Sequence, residues 1–408
     1  MSNEHQHIPS GYKPSPLGPI PEDWEVKRLG EIGEVLMCKR IMKYQTDSCG
    51  DIPFFKIGTF GGKPDAYISK EVFDEYKTKY SYPKVGDVMI SAAGTIGRSV
   101  IFDGTPSYYQ DSNIVWIDND NKQVLNKYLY YYYSTINWIT DTGTIPRLYN
   151  GALKAIQIPT PPIEQQKRIV SILEFWDTAI AKQTALIEKL TLRKRGLMQQ
   201  LLTGKKRLKG FCGEWKEVRL GDVASINRGG SPRPIEDYIT DGDGYNWIKI
   251  GDVGVDAKYI TRTEEKIIKE GLSKTRFVKS GDFILSNSMS FGRPYILKID
   301  GCIHDGWLVI QKYSQTFNID FLYYILGYDT TLAQYKSMAA GSGVLNLNKE
   351  IVKEVQLRIP SIDEQIVIAS ILVNADKEIE LANKKLTRLQ EEKKGLMQVL
   401  LMGRKRIK

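Results

Sequence analysis

The sequence predicts a mixed α/β protein of two repeated globular domains and two long helices, arranged with pseudo-twofold symmetry. The first observation is a repeat, because residues 194–207 return as residues 393–406 in a chain of 408 residues. The second is that matching landmarks precede both copies in the same order, including Trp24 with Trp215 and Gly86 with Gly281. The third is an apolar stripe of helical period in each copy. The chain is therefore expected to be a duplicated unit of one domain and one helix.

The long helices carry a pattern typical of a coiled coil. Apolar residues recur at alternating spacings of four and three over about five heptads. Gly204 and Gly403 stand in the C-cap position, beside Lys/Arg clusters that the helix dipole favours. The expected seam residues are Leu173, Trp176, Ile180, Ile187, Leu190, Leu197 and Leu201 in the first helix, and Leu372, Ile379, Leu386, Leu389, Leu396 and Leu400 in the second.

Two arrangements of these helices are open. Each helix can pack on its own domain, or the two can pair with each other, which the length of the seam favours. Antiparallel pairing is expected, because a parallel pair would force the intervening domain to span the full length of a helix. We therefore predict an antiparallel coiled coil that joins the two globular domains.

Domain boundaries follow from the repeat and from prolines before each helix. Short alternating segments bounded by Gly and Asp predict strands in each globular domain. The Tyr-rich helix at residues 128–133 is expected to be core rather than a stacking platform. Insertions fall between the landmarks, so the framework is repeated while the loops differ. The predicted boundaries are a flexible leader at 1–20, globular domains at 21–160 and 205–359, a central helix at 161–204 and a C-terminal helix at 360–408.

Composition indicates a polyanion partner and argues against several classes of protein. The formal charge is +9 and the pI is about 9.0, which suits nucleic acid. The four cysteines form no CxxC pair and are expected to be reduced thiols. Of the three histidines, His5 and His7 lie in the Pro-rich leader, so only His304 is left for the folded part. This argues against a His-built metal site or a Ser-His-Asp triad. Without a membrane-spanning run or a signal peptide, the chain is expected to be cytoplasmic, with no membrane partner.

The sequence contains no motif for base methylation or nucleotide binding. The Asn/Asp-Pro-Pro-aromatic motif of enzymes that methylate base amino groups and the GxxxxGK[ST] phosphate loop are both absent. Asp65, Glu75 and Lys77 fit a metal-nuclease pattern, but such loose patterns are common in charged loops. We therefore expect no catalytic residue, metal site or cofactor in this chain. A cation-dependent nuclease that uses these three residues is the alternative.

Six motifs occur in a fixed order along the chain, and most of them return in the second half. They are Pro21-Glu22-Asp23-Trp24, residues 86–91, Gly94-Thr95-Ile96-Gly97, Thr144-Ile145-Pro146-Arg147-Leu148, residues 161–169 and Gly196-Leu197-Met198-Gln199. From Ile20 onward, this ordered set resembles the specificity subunits of type I restriction-modification enzymes. The second half departs from the pattern at residues 288–292, in place of Gly-Thr-Ile-Gly, and at residues 344–346, in place of the Pro-Arg loop.

The resemblance implies a non-catalytic subunit that recognises double-stranded DNA. In that family, two target-recognition domains sit inverted across an antiparallel helix pair, and each recognises one half of an interrupted sequence. Two modification subunits would dock on the complex and supply adenine methylation with S-adenosylmethionine. Restriction or motor subunits, which use ATP and Mg, would restrict unmodified DNA. The seam and the basic helix ends would serve pairing or subunit docking.

Candidate DNA contacts follow from side-chain chemistry in the loops. Cationic groups suit phosphates, whereas amide, hydroxyl and imidazole groups suit base edges. The expected phosphate contacts are Lys56, Arg98, Arg147, Lys249 and Arg293. The expected base contacts are Asn113, Tyr149, Asn150, Asn287, His304, Asn346 and Asn348.

Two further hypotheses fit the same pattern. The chain can be a specificity subunit of a related restriction system in which cleavage is fused to modification. It can also be a coiled-coil scaffold that binds only proteins. Salt distinguishes the scaffold, because phosphate contacts give an affinity that falls steeply with salt, whereas a scaffold would not retain DNA.

Overall fold

In a computed structural model, the chain forms two compact units. Unit 1 comprises residues 1–184 with residues 384–408, and unit 2 comprises residues 185–383. The structure describes residues 8–138, 147–254, 257–287, 291–340 and 347–406. No helix within these ranges is long and apolar enough to cross a membrane.

Unit 1 contains short strands, short helices and part of two long helices. Its strands are β1 (Tyr12–Lys13), β2 (Ile20–Pro21), β3 (Glu25–Arg28), β4 (Val35–Met37), β5 (Ile52–Phe55), β6 (Tyr67–Ile68), β7 (Val88–Ser91), β8 (Ser99–Ile101), β9 (Tyr108–Tyr109), β10 (Ile114–Ile117) and β11 (Gln157–Thr160). Its helices are α1 (Leu29–Ile32), α2 (Lys70–Lys79), α3 (Asn126–Tyr133), α4 (Asn150–Ala155) and the long α5 (Ile163–Leu201), which continues into unit 2. Strand β1 lies within the stretch expected to be a leader and pairs with β2 at the end of that stretch.

The core of unit 1 forms around two sheets and the Tyr-rich helix α3. The main sheet is antiparallel, in the order β4-β10-β7-β8, and its two central strands are buried along their whole length. A smaller sheet has the order β6-β5-β9, and β3 pairs with β11. In α3, Tyr128, Tyr131, Tyr132 and Tyr133 are buried. The prediction that this helix belongs to the core is confirmed.

Unit 2 repeats this plan with larger sheets. Its strands are β12 (Lys216–Arg219), β13 (Ser225–Arg228), β14 (Ile239–Thr240), β15 (Tyr245–Ile248), β16 (Tyr259–Ile260), β17 (Glu265–Ile267), β18 (Arg276–Val278), β19 (Phe283–Ser286), β20 (Pro294–Leu297), β21 (Gly301–Ile303), β22 (Trp307–Gln311) and β23 (Gln356–Ile359). Its helices are α6 (Leu220–Val223), α7 (Ile319–Leu326), α8 (Asp329–Ala339), α9 (Lys349–Lys353) and the long α10 (Ile362–Leu400), which continues into unit 1.

The sheet order shows which parts of the two units correspond. The main sheet of unit 2 has the order β13-β22-β19-β20-β16, and its second sheet has the order β14-β17-β15-β21-β18. Strand β12 pairs with β23 as β3 pairs with β11. Helix α7 buries Phe321, Leu322 and Tyr324, as α3 buries its tyrosines. The predicted mixed α/β class and the duplication are therefore confirmed.

In unit 1, segments of α5 and α10 pack together, and both contact Tyr131 on α3. Leu173 and Leu400 are buried in the same core cluster. Tyr131 on α3 donates a hydrogen bond of 2.6 Å to Asp177 on α5, and Lys393 on α10 pairs with that carboxylate at 2.5 Å. The Lys393 Nζ also lies 5.1 Å from the centre of the Tyr131 ring. Burial and the acceptor Asp177 raise the pKa of the Tyr131 hydroxyl, so that it stays a proton donor.

Unit 2 repeats this cluster and shows the direction of the two helices. Tyr324 on α7 donates a hydrogen bond of 2.5 Å to Asp376 on α10, and Lys194 on α5 pairs with that carboxylate. Further along the chain, Arg207 pairs with Glu364 near the start of α10. Residue numbers therefore rise along one segment as they fall along the other. The two segments run antiparallel within the unit.

Side-chain exposure along the long helices follows the predicted seam. All thirteen seam residues are buried or half-buried. Off the seam, Phe175, Leu192 and Leu381 are 71%, 67% and 65% exposed. Gly204 and Gly403 adopt φ of +69° and +67° after the helix ends, a conformation that glycine adopts without a Cβ penalty. The coiled coil itself stays a prediction.

A buried glutamine near the start of α5 positions the start of α3. The Gln166 side chain donates to the carbonyls of Pro161 at 2.8 Å and Gln123 at 2.9 Å. Its Oε1 accepts from the backbone N–H of Leu125, the residue before α3, at 2.8 Å. The side chain is fully buried, and its amide hydrogens and its oxygen all have partners.

The same arrangement recurs at the start of α10. Gln365 donates to the carbonyls of Pro360 at 3.1 Å and Thr316 at 2.9 Å, and accepts from Asn318 N at 2.9 Å. Asn318 is the residue before α7. The repeated glutamine thus has the same role in both units.

Replacing Gln166 with Ala is expected to lower the free energy of unfolding by about 2–4 kcal/mol, because three backbone groups lose the buried side chain that bonds to them. Urea denaturation followed by circular dichroism measures the change. Gln199→Ala, at an exposed position of the same helix, is the matched control, with an expected change below about 0.5 kcal/mol. Equal effects of the two substitutions would contradict the assignment.

Candidate nucleic-acid interface

One end of each main sheet gathers loops that carry candidate DNA contacts. In unit 1, β4 and β7 end there while β8 and β10 begin there, as the pairing of Ile114 with Ser91 requires. Arg98 immediately precedes β8, and Asn113 immediately precedes β10. We call these loops the loop edge. It comprises residues 37–40, 91–98, 110–113 and 147–150 in unit 1, and residues 228–233, 286–287, 291–293, 304–306 and 347–348 in unit 2.

Backbone hydrogen bonds hold the loop edge of unit 1 together. Ala92 N donates to Asn113 O at 2.7 Å, and Leu148 N donates to Ala92 O at 2.8 Å. The segment around Leu148 is therefore anchored to the end of β7, although it lies far from β7 in sequence. The structure brings the following predicted contacts to this edge: Arg98, Asn113, Arg147, Tyr149 and Asn150.

The cationic candidates of unit 1 have partners within the protein. Arg98 Nη1 donates to Phe60 O at 2.9 Å, and the residue is exposed. Lys56 follows β5 and pairs with Asp65 at 2.9 Å, with 42% of its side chain exposed. Exposed ion pairs of this kind contribute little free energy, so this flexible lysine can leave Asp65 for a phosphate.

Unit 2 places its corresponding cations in similar surroundings. Lys249 pairs with Glu265 at 2.6 Å. Arg293 immediately precedes β20, as Arg98 precedes β8, and is half-buried. Asn346 lies outside the described residues.

Two predicted base contacts of unit 2 support the fold of their loops. Asn287 is buried, and its side chain donates to Asp305 O at 2.7 Å. Asn348 is exposed, and its Oδ1 accepts from Ile351 N at 2.9 Å, which caps α9. The polar atoms of Asn287 therefore face the protein, whereas Asn348 stands at the surface.

His304 occupies the position that Gln110 holds in unit 1. Gln110 Oε1 accepts from Ile57 N at 2.8 Å, and His304 Nε2 faces Ile250 N at 3.2 Å. The second ring nitrogen of His304 faces Gly306 N at 2.6 Å. A protonated ring could accept from neither group. Burial lowers the pKa of His304, which favours the neutral ring.

Sequence reasoning missed the arginines Arg40, Arg228 and Arg233. Arg40 Nε donates to Asp111 Oδ2 at 2.9 Å, and Arg228 Nε donates to Asp305 O at 2.8 Å. Arg233 Nη2 lies 3.9 Å from Asp305 Oδ2. The two aspartates align in the repeat and were the available signal, because the arginines beside them do not align.

The residues of the nuclease hypothesis are engaged with other groups. Asp65 pairs with the lysine after β5, and Glu75 pairs with Lys79 on α2 at 2.9 Å. The Lys77 Nζ lies 5.1 Å from the centre of the Tyr82 ring. In the described part of the chain, no group of three or more His, Cys, Asp or Glu side chains could hold a metal ion.

Comparison with known proteins agrees with the duplication of the domain. The chain matches the model of the type I restriction modification DNA specificity domain twice, at residues 21–192 and at residues 213–391. The chain belongs to this family. It is a type I DNA specificity subunit with two target-recognition domains, as the resemblance of its motifs predicted.

Relatives of this specificity subunit carry the same description. A putative type I restriction enzyme specificity subunit of Haemophilus influenzae is 64% identical over 160 residues, which cover 39% of this chain and 42% of that protein. The putative type I restriction enzyme MjaX specificity subunit of Methanocaldococcus jannaschii is 26% identical over 97% of both chains.

Two solved structures share the fold. The type I restriction-modification S subunit from M. genitalium matches with a TM-score of 0.55 and 16% identity, over 93% of this chain and 96% of that chain. A chain from a study of complex assembly and conformational transition of the type I R-M system matches with a TM-score of 0.63 and 16% identity, over 94% and 99%. At this identity the likeness concerns the fold alone.

Buried His304 is expected to make stability depend on pH. Its folded-state pKa lies below the unfolded value of 6.5, so the unfolded chain binds the proton first and stability is lost as pH falls below 6.5. His304→Gln, which introduces the residue that unit 1 uses, should reduce the loss of unfolding free energy between about pH 7.5 and about pH 5.5. Urea denaturation at both pH values measures it. An undiminished loss in the variant would contradict this role.

Proposed function

We propose that each unit of this specificity subunit recognises one half of an interrupted duplex site through its loop edge, and that the chain itself catalyses nothing. The observation that supports this is a repeated frame with unlike side chains. Gln110 and Ala92 of unit 1 stand where His304 and Asn287 stand in unit 2. Two similar frames with different contacts suit an asymmetric, bipartite sequence.

The proposed DNA contacts fall into two groups according to side-chain chemistry. Cations at the loop edge and beside it would bind phosphates and set the position on the duplex, whereas exposed polar groups would contact base edges. Asn287 and His304 would act by shaping their loops, because their polar atoms bond within the protein. The proposed phosphate contacts are Lys56, Arg98, Arg147, Lys249 and Arg293. The proposed base contacts are Asn113, Tyr149, Asn150 and Asn348.

The long helices are proposed to form the coiled coil and to dock two modification subunits. Phe175 and Leu381 are 71% and 65% exposed. The repeat places Asn374 and Lys182 at the corresponding positions, so these apolar groups are not needed by the helix pairing. Exposed apolar side chains on a rigid helix suit a protein partner. S-adenosylmethionine would bind to the modification subunits, and ATP and Mg to restriction subunits.

Methylation sequencing of single DNA molecules tests the function directly. The DNA would come from cells that express this chain with its modification partner. We expect a gapped methylated motif that changes in one half when residues 21–160 are exchanged for those of a relative. The absence of any motif, together with no retention on DNA at low salt, would contradict the proposal and favour a protein scaffold.

Phe175→Asn, which introduces the residue of the other repeat, is expected to weaken binding of the modification subunit by about tenfold, because an exposed aromatic anchor is lost. Isothermal titration calorimetry with the purified modification subunit measures the affinity. Phe175→Leu keeps an apolar contact and should bind within about threefold of the unaltered chain. Undiminished binding of Phe175→Asn would exclude this side chain from the docking surface.

A further inference from the structure

Each loop edge holds an arginine by its Nε beside an equivalent aspartate. In unit 1, Arg40 Nε donates to Asp111 Oδ2 at 2.9 Å. In unit 2, Arg228 Nε donates to Asp305 O at 2.8 Å, and its Nη2 lies 3.8 Å from Asp305 Oδ2. Asp111 lies three residues before β10 and Asp305 two residues before β22, each the second strand of its main sheet, and the arginines lie at or shortly after the end of the first strand, β4 or β13.

The anchored Nε leaves the outer side of the guanidinium available. The Arg40 side chain is 66% exposed, whereas Asp111 is 20% exposed. In the described part of the chain, the Nη groups of Arg40 make no hydrogen bond. A planar guanidinium held on one side is pre-organised to donate two parallel hydrogen bonds on the other.

Two parallel donors match one base in the major groove. Guanine presents O6 and N7 as neighbouring acceptors, whereas adenine presents an amino donor beside N7. The donor pair of a fixed arginine therefore fits guanine and is repelled by the adenine amino group. Each matched pair of this kind discriminates against the wrong base by roughly 5- to 150-fold.

The aspartate beside each arginine favours a contact from that arginine to a base over a contact to a phosphate. A carboxylate close to the guanidinium offsets its charge and repels a phosphate, but it does not repel a neutral base. Burial alone would raise the pKa of Asp305, yet the hydrogen bond from Ser231 and the nearby charge of Arg228 hold that pKa below its ordinary value. This carboxylate therefore stays ionised beside its arginine.

A cleft lies beside the arginine–aspartate pair of unit 1 and beside the aspartate of unit 2, where the Arg228 side chain is 51% exposed. Arg40 and Asp111 line a cleft of about 330 Å³ in unit 1. Asp305 lines a cleft of about 810 Å³ in unit 2, together with Arg233 and Trp247. The carboxylates and at least one arginine of each loop edge thus face solvent-filled clefts rather than the packed core.

We infer that Arg40 and Arg228 each recognise a guanine, one in each half of the DNA site, and that Asp111 and Asp305 are positioning residues. This inference rests on the proposed function and adds to it the identity of one base in each half-site. None of these residues belongs to the contacts expected from the sequence.

The test uses the complex of the full chain with its modification subunits. Duplexes in which each G·C pair of the methylated motif is replaced in turn are titrated at fixed salt. Arg40→Ala should weaken binding to the unaltered duplex roughly 5- to 150-fold and remove the preference for guanine at one position of one half-site. Arg228→Ala should do so in the other half. Asp111→Asn should weaken the same preference as Arg40→Ala.

Arg40→Lys separates a base contact from a phosphate contact, because lysine keeps the charge but loses the fork. The guanine preference should weaken in this variant, because an ammonium donates without a fixed planar geometry. Lys122→Ala and Lys279→Ala, exposed cations at the opposite end of each main sheet, are the matched controls and should leave the motif unchanged.

Three outcomes would overturn either the inference that the arginines recognise guanine or the proposed function. An unchanged motif in the arginine variants overturns the inference. A uniform loss of affinity on all duplexes, with a smaller salt slope and with binding retained by Arg40→Lys, makes the arginine a phosphate contact and also overturns it. Absence of sequence preference in the unaltered complex overturns the proposed function instead.

Discussion

One carboxylate in each unit, shared by a tyrosine and a lysine, connects the globular domain to both long helices. In unit 1, Asp177 on α5 accepts from Tyr131 on α3 and pairs with Lys393 on α10. Helix α3 packs against the main sheet. The position of the loop edge relative to the helix segments of its unit therefore depends on this carboxylate.

The two units differ in the contact made by one corresponding residue near the start of each long helix. In unit 1, Trp24 Nε1 donates to the amide oxygen of Gln165 at 2.8 Å. In unit 2 the corresponding residue is Glu364, which binds Arg207 through two hydrogen bonds of 2.9 and 2.8 Å. Trp215 Nε1 then has no hydrogen-bond partner among the described residues. The duplicated frame has thus tolerated a change from a neutral to an ionic contact without a change of architecture.

Features with a regular period could be predicted from the sequence, whereas features made by contacts distant in sequence could not. The seam, the buried tyrosines of α3 and the glycine at the end of each long helix follow from helical spacing. Asn287 is buried, and its backbone carbonyl accepts from the N–H of Leu347 at 2.9 Å, a contact between residues 60 positions apart. Arg40 lies three residues after β4 and Arg228 is the last residue of β13, so comparison of the repeats does not align them.

Unit 1 is built from two segments that are distant in sequence, and this sets an order for folding during translation. Unit 2 is one continuous stretch, whereas unit 1 needs residues 384–408 beside its first 184 residues. Leu400 and Leu401 complete its core, and Gly403 packs against the ring of Trp24. The domain made first is therefore completed last, after the final turns of α10 have left the ribosome. A premature stop near the C-terminus would leave the later domain with all its residues and would damage the N-terminal one.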